Sequence, residues 1–363
     1  MTNDQILTPT SLDFLEKYIN NASPTGFESS GQALWLDYLK PYIDSYEVDT
    51  YGSVAAVINP EAKYKVVIEA HADEISWFVH YITDDGLIYL VRNGGSDHQI
   101  APSKRVFIHT DNGPVPALFG WPAIHTRRGK SKEQAPSTTN IFLDCGCKNK
   151  KEVEALGIHV GCVVTYEDEF MVLNDRYFVG RALDNRIGGY MIAQVARLLK
   201  ENNVSLPYGL YIVNSVQEEV GLRGAHMIAH RIQPDVAIVT DVTHDTTTPM
   251  IDKIEQGHCA AGDGPSLTYA PAVQNNLLKL IINTAKENEI PFQREVASRA
   301  TGTDTDAFAY SNKGVASALI SLPLRYMHTT VEMTHKEDVA NVVRLIYNTL
   351  LKIEDGHDFR YLK

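Results

Sequence analysis

Cysteine is scarce in this chain of 363 residues: Cys145, Cys147, Cys162 and Cys259 are too few and too unevenly placed for a disulfide framework. No second Cys or His pair follows Cys145-Gly146-Cys147 at zinc-finger spacing, so buried or incidental thiols account for that pair. No stretch is long and apolar enough to span a bilayer. Residues 1–11 have neither a basic start nor an apolar run, so no secretion signal is visible and a cytoplasmic protein is expected. Basic residues are the minority charge, 33 Lys and Arg against 45 Asp and Glu, for a formal net charge of -12. That balance argues against a nucleic-acid groove or an anionic membrane surface as partner. Internal repeats and low-complexity tracts are also missing. What remains, 44% hydrophobic and 21% charged, is the composition of a globular chain with room for one large domain or two ordinary ones.

Hydrophobic periodicity then divides the chain. Thr8 as N-cap and Pro9 at the first helical position open a helix with Leu12, Leu15 and Ile19 on one face. A second helix, 28–40, is ended by Pro41. Runs 46–49 and 53–58 read as strands, and 66–75 as a central strand with His71 and Asp73 at its carboxyl end. Over 76–172 the texture changes to short alternating runs between Asp84-Asp85-Gly86, Asn93-Gly94-Gly95 and Asp111-Asn112-Gly113, with no long amphipathic helix. This is the pattern of a small β-barrel or sandwich. Within it, 127–140 is polar and reads as a long mobile loop. From 173 onward helices (185–202, 225–230, 275–287, 305–311, 338–353) alternate with strands (208–213, 236–240, 292–296, 317–322). The expectation is an α/β domain from 1–75 and 173–363, with a mainly parallel sheet under helices on both faces, interrupted by an all-β insert over 76–172.

In open α/β sheets, ligands gather outside the carboxyl ends of the strands. Five polar groups from separate stretches are candidates for that crevice: His71, Asp184, Glu219, Asp241 and His328. Each has an ordinary reading. Asp184 stands before a helix as an N-cap would, Asp241 suits a strand-end turn, and either imidazole suits a satisfied, partly buried histidine. Glu218-Glu219 alone reads as a solvated pair. As a set, two imidazoles and three carboxylates can hold two zinc-like ions if one carboxylate bridges. Asp73 is placed to support a ligating His71. Glu218 is left over, and free to be a general base.

Six stretches carry a resemblance: His71-Ala72-Asp73-Glu74-Ile75, Gly180-Arg181-Ala182-Leu183-Asp184-Asn185-Arg186-Ile187-Gly188, Gln217-Glu218-Glu219-Val220-Gly221, Thr240-Asp241-Val242-Thr243-His244, Gly262-Asp263-Gly264-Pro265 and Leu324-Arg325-Tyr326-Met327-His328. In that order they resemble the tetrahedral (TET-type) glutamyl and leucyl aminopeptidases, cocatalytic metallopeptidases also loosely called endoglucanases. The resemblance spans nearly the whole chain, the β insert included. It implies two divalent ions per subunit, zinc or cobalt, with His71 and Asp241 on one, Glu219 and His328 on the other, and Asp184 bridging. It also implies that Asp73 orients His71 and that Glu218 is the catalytic base. The substrates implied are peptides with a free amino terminus, and the assembly a homo-oligomeric dodecamer, with the β insert as its oligomerisation domain. Three places depart from the family pattern. Asn185 stands where many members have a second Asp, Asp263 where Lys is common, and 121–125 fits the family's Pro-Pro-His region poorly.

Rival readings remain open. The same site could serve a carboxypeptidase or an N-acyl amino acid deacylase, although those relatives insert a ferredoxin-like domain later in the chain. An endoglucanase would use paired carboxylates in an aromatic cleft and leaves His71 and His328 unexplained. A non-catalytic scaffold would be expected to have lost a ligand or the base, and all six are present.

Overall fold

The apolar runs of the sequence become the middle of an eight-stranded sheet in the computed structural model, which describes residues 2–127 and 134–362. Its order is Ser45–Val48, Val54–Ile58, Gly209–Ser215, Lys65–His71, Val236–His244, Ala316–Leu324, Ser266–Tyr269, Gln293–Val296. The four strands from Gly209–Ser215 to Ala316–Leu324 are mutually parallel. Val54–Ile58 and Ser266–Tyr269 flank them in antiparallel pairings. Val66, Val67, Ile68 and Ala70 are fully buried, as a parallel strand covered on both faces must be. Ser45–Val48, at the edge, is exposed along its length.

Helices cover both faces. Leu183–Glu201 lies against the central strands and is buried continuously from Leu183 to Leu199, the mark of an interior helix. Lys336–Leu350 packs beside it, while Arg223–Ile232 and Thr305–Ala309 pack together elsewhere on the sheet. The Thr8 cap forms as read, its hydroxyl accepting the Ser11 amide at 3.1 Å.

Six antiparallel strands between Ser76 and Tyr166 close into a barrel around Trp77, Ile88, Ile108, Phe119, Leu143 and Val164, a core separate from that of the sheet. One of them, Gly113–Gly120, contains Pro114 and Pro116, which cannot donate to a ladder. Its pairing with Phe142–Asp144 is confined to Leu118–Gly120, so the prolines face no partner on that side. A third sheet, Met171–Leu173, Tyr177–Gly180 and Glu332–His335, has no counterpart in the sequence reading, nor does Ser266–Tyr269. All are three or four residues long, too short for periodicity to register.

Of the polar stretch 127–140, residues 128–133 lie outside the described residues. Arg127 closes a single helical turn, Ile124–Arg127, and the Asn140 amide turns back onto the Ser137 carbonyl at 3.1 Å. Among the described residues, no helix is long and apolar enough to cross a membrane.

Candidate metal centre

Register brings the site together. Ser215 pairs with His71, and Val239 with Glu69, so Asp241 stands level with His71 on the neighbouring parallel strand. The turn Glu218–Val220 follows the Gly209–Ser215 strand, Asp184 enters the buried helix, and His328 follows Ala316–Leu324. All seven residues singled out from the sequence meet at this carboxyl edge. Six of them, His71, Asp184, Glu218, Glu219, Asp241 and His328, line one cavity of about 460 Å³.

Asp184 sits between the histidines. Its Oδ1 is 3.2 Å from His71 Nε2 and its Oδ2 3.3 Å from His328 Nε2. Glu219 Oε1 is 3.4 Å from His328 Nε2, and Asp241 Oδ1 is 3.8 Å from His71 Nε2. Asp73 Oδ1 lies 3.4 Å from the other His71 nitrogen, Nδ1, with the Asp73 carbonyl 3.2 Å away. The same carboxylate accepts from the amides of Glu218 at 2.9 Å and Glu219 at 3.2 Å, and from the Thr25 hydroxyl at 2.9 Å.

Charge is crowded here. Burial pushes the Glu218 carboxyl up to about 10, with Asp241, Asp304 and Glu219 adding to the effect against His71. Burial also raises Glu219 and lifts Asp241 well above the usual carboxylate range. Burial opposes the charge of His328, but Asp184 and Glu219 outweigh it and raise the imidazole to about 11. Asp184 goes the other way: despite burial, both imidazoles hold it below its ordinary value. Among the described residues, no Lys or Arg lines the cavity. Four carboxylates against two imidazoles leave an excess of buried negative charge, which bound cations stabilise.

The donor set fits divalent ions. Ligand atoms of His71, Asp184 and Asp241 lie within 4.8 Å of one another, and so do those of Asp184, Glu219 and His328. Both sets contain Asp184, and neither uses Glu218. A third grouping, His71 with Glu218 and Glu219, is also within that span, and Glu218 Oε2 stands 3.8 Å from His71 Nε2, as Asp241 Oδ1 does; what sets this grouping apart is that it lacks Asp184. A larger hollow of about 630 Å³ lies by Arg197 and Arg344. Among the described residues it holds no group of metal-ligating side chains.

The sequence pattern of the M42 glutamyl aminopeptidases matches residues 52–345. The chain belongs to the M42 family. It is 33% identical to the lysyl aminopeptidase of Pyrococcus furiosus over 336 residues, covering 92% of this chain and 94% of that one. The fold is similar to that of the TET aminopeptidase of Thaumarchaeota archaeon SCGC AB-539-E09, with TM-score 0.90, 29% identity and coverage of 95% of this chain and 97% of that one. It is also similar to the TET1 peptidase of Pyrococcus horikoshii, which can assemble into a tetrahedron or a large octahedral shell (TM-score 0.83, 24% identity, coverage 94% and 100%). As an M42 protein the chain is a hydrolase of the metallo-aminopeptidase type.

Two features of this M42 site were not read from the sequence. Glu332, 2% exposed, accepts the Asp184 amide through Oε2 at 3.0 Å and the His328 amide through Oε1 at 2.8 Å. Beneath His71, Ser215 Oγ lies 2.6 Å from both Glu69 Oε1 and Asp304 Oδ2, and burial raises both carboxyls. Glu69 had a signal: it is a carboxylate inside the otherwise apolar strand 66–70. Glu332 also stands out, as the one acid among Thr329-Thr330-Val331-Glu332-Met333-Thr334.

Proposed function

We propose that this M42 chain is a dinuclear-metal aminopeptidase that removes amino-terminal residues from peptides with a free amino terminus. The observation that carries this reading is Asp184, which turns one oxygen toward each histidine, 3.2 Å from His71 and 3.3 Å from His328. His71 and Asp241 would hold one ion, Glu219 and His328 the other, and Asp184 would bridge. Zinc is the first candidate and cobalt the second, since nitrogen and oxygen donors suit both. Two such ions polarise a scissile carbonyl and lower the pKa of water.

The chain's own residues do the rest. Glu218, outside the two ligand sets that share Asp184, would be ionised once bound cations offset the burial and crowding that raise it. It then takes a proton from the attacking water and passes it to the departing amine. Asp73 holds the Glu218 amide and faces His71 Nδ1, so one buried carboxylate sets the direction of the base and of a ligand. The acidic cavity, lined by no Lys or Arg among the described residues, is suited to the positive α-amine of a substrate. The protein would work in the cytoplasm as a homo-oligomer, a tetrahedral dodecamer by likeness to the TET peptidases, with 76–172 as the oligomerisation domain. Three exposed apolar residues, Met171, Val172 and Leu173, on a sheet edge support assembly, because such an edge is a hazard to a lone monomer. Elemental analysis of protein purified without chelator tests the core of the reading. Two ions per chain are expected; one or none, unchanged after metal is added back, would sink it.

A further inference from the structure

The two halves of the metal centre are supported differently. His71 and Asp241 lie on adjacent central strands, where the ladder fixes them, and are 2% and 4% exposed. Glu219 lies on a turn, and His328, with its side chain 33% exposed, lies in the connection after Ala316–Leu324. His328 also adopts φ 61, a left-handed backbone that no regular ladder maintains. Something else must hold it.

Two residues outside the ligand set do so. Glu332 accepts the His328 amide and, through its other oxygen, the Asp184 amide, joining the backbones of bridge and histidine. Against the ring stands Gly95, from the turn that leaves the barrel strand Ile88–Asn93. A methyl group at Gly95 would lie 2.4 Å from His328 Nδ1 and 2.5 Å from Cε1, well inside contact distance. Gly94, at φ +79, lies against the other loop-borne ligand, less tightly: a Cβ there would be 3.1 Å from Glu219 Cβ. This turn cannot easily retreat. Asn93 Nδ2 donates to the Thr25 carbonyl and to Ser76 Oγ, both at 2.8 Å, and Ser96 Oγ donates to the Ser76 carbonyl at 2.6 Å. Both anchors are buried, at 7% and 0% exposure.

We infer that Gly95 and Glu332 are positioning residues for His328, and that the barrel turn 93–96 is a structural part of the ion site formed by Glu219 and His328. A side chain at Gly95 displaces the imidazole from its place beside Asp184 and Glu219, because the turn is pinned and the ring, 33% exposed, is the part that can move. Glu332→Gln offers one acceptor and one donor to two amide donors, so one backbone is released. Neither change touches the strands that carry His71 and Asp241. The inference rests on the dinuclear reading above.

The test is calorimetric titration of zinc into metal-depleted full-length wild type, Gly95→Ala and Glu332→Gln, with cobalt absorption spectra recorded in parallel. The wild type should take up two ions. Gly95→Ala should bind one ion as the wild type does and the other about 10–100-fold more weakly, the usual effect of losing support behind a ligand. Glu332→Gln, which also loosens the amide of the bridging Asp184, should weaken the Glu219–His328 ion by as much and the other ion less. One cobalt band should change, and excess metal should restore turnover. Melting of the metal-free proteins reports folding; if Gly95→Ala melts early, Glu332→Gln decides. Variants that bind both ions like the wild type, or that lose both equally, overturn the inference while the dinuclear reading stands. A wild type that takes up one ion overturns the dinuclear reading itself.

Discussion

Asp73 and Glu218 are joined through the main chain: Oδ1 of Asp73 accepts the Glu218 amide at 2.9 Å. The contact links the end of one central strand to the turn after its neighbour. Asp73 is fully buried, and its second oxygen takes the Glu219 amide at 3.2 Å, so ligand and base leave the same turn in fixed directions. Two adjacent glutamates can then have different roles, because their backbone is held rather than their side chains.

Asp73→Asn should therefore damage direction more than charge. The new amide nitrogen cannot accept one of the two backbone N–H groups or face a protonated His71 Nδ1. Turnover is expected to fall about 10–100-fold with the ions still bound. Steady-state kinetics with metal analysis on the same preparation checks this, and near-normal kcat would show that the Asp73 contacts are incidental.

Glu218→Gln keeps shape and removes the basic group. The rate should fall by about 10²–10⁴, the usual contribution of a general base. Metal content should not change, because neither ion set that shares Asp184 includes Glu218. Glu219→Gln should behave in the opposite way, losing one ion and recovering part of its activity in excess zinc or cobalt. If Glu218→Gln turned over an unblocked dipeptide normally, the base would have to be sought elsewhere.

Stability should carry a pH signature from Glu28. Its carboxyl, 2% exposed, accepts the amides of Gly26 at 2.7 Å and Gln217 at 3.2 Å. Burial, then the nearby charge of Asp73, raises it from 4.5 to about 7. A raised acid keeps its proton in the folded state after the unfolded chain has released its own. Folding is therefore progressively disfavoured as pH rises from 4.5 to about 7, and the loss is constant above that. Glu28→Gln should remove this slope, a gain relative to wild type on the order of 2 kcal/mol at pH 8 and little at pH 4. Urea melts at the two pH values check the sign, and parallel curves would mean that Glu28 titrates normally.

How much of this was legible in the sequence depended on range. Val66 to Ala70 and 208–213 announce buried strands by composition, and strand ends announce where His71, Asp241 and the Glu218-Glu219 pair must gather. The Asp184 environment was less visible, since a residue before a helix looks like a cap, yet Asp184 and Asn185 depart from helical φ/ψ. Glu332 stands out as a lone acid, but its role was missed because its partners are backbone amides 148 and 4 residues away, which its neighbours in sequence do not reveal. Gly95 was read as a turn glycine; that the space it leaves belongs to His328 is a tertiary fact.

Assembly is the next expectation. Met171, Val172 and Leu173 are 51%, 45% and 45% exposed on an edge strand, and Val296, at 82%, ends the edge of the main sheet. Light scattering on the purified chain should report a large closed oligomer. A stable, active monomer would contradict both the assembly and the role given to 76–172.

Substrate charge gives the last prediction. The cavity brings together Asp184, Glu218, Glu219 and Asp241 with two imidazoles and, among the described residues, no Lys or Arg, so a cation is favoured where a peptide's amino terminus would enter. A free α-amine supplies that cation and its hydrogen bonds. Acetylation removes the charge and places a carbonyl oxygen among carboxylates. A charged hydrogen bond contributes roughly 1.5–3 kcal/mol, which corresponds to about 10–150-fold in rate if it is made in the transition state. Acetylated peptides should therefore be cut at least about tenfold more slowly than the same peptides with free amino termini, with kcat/KM as the measure. Equal rates on both would mean that the cavity does not select the amine, and would favour an N-acyl deacylase using the same ions.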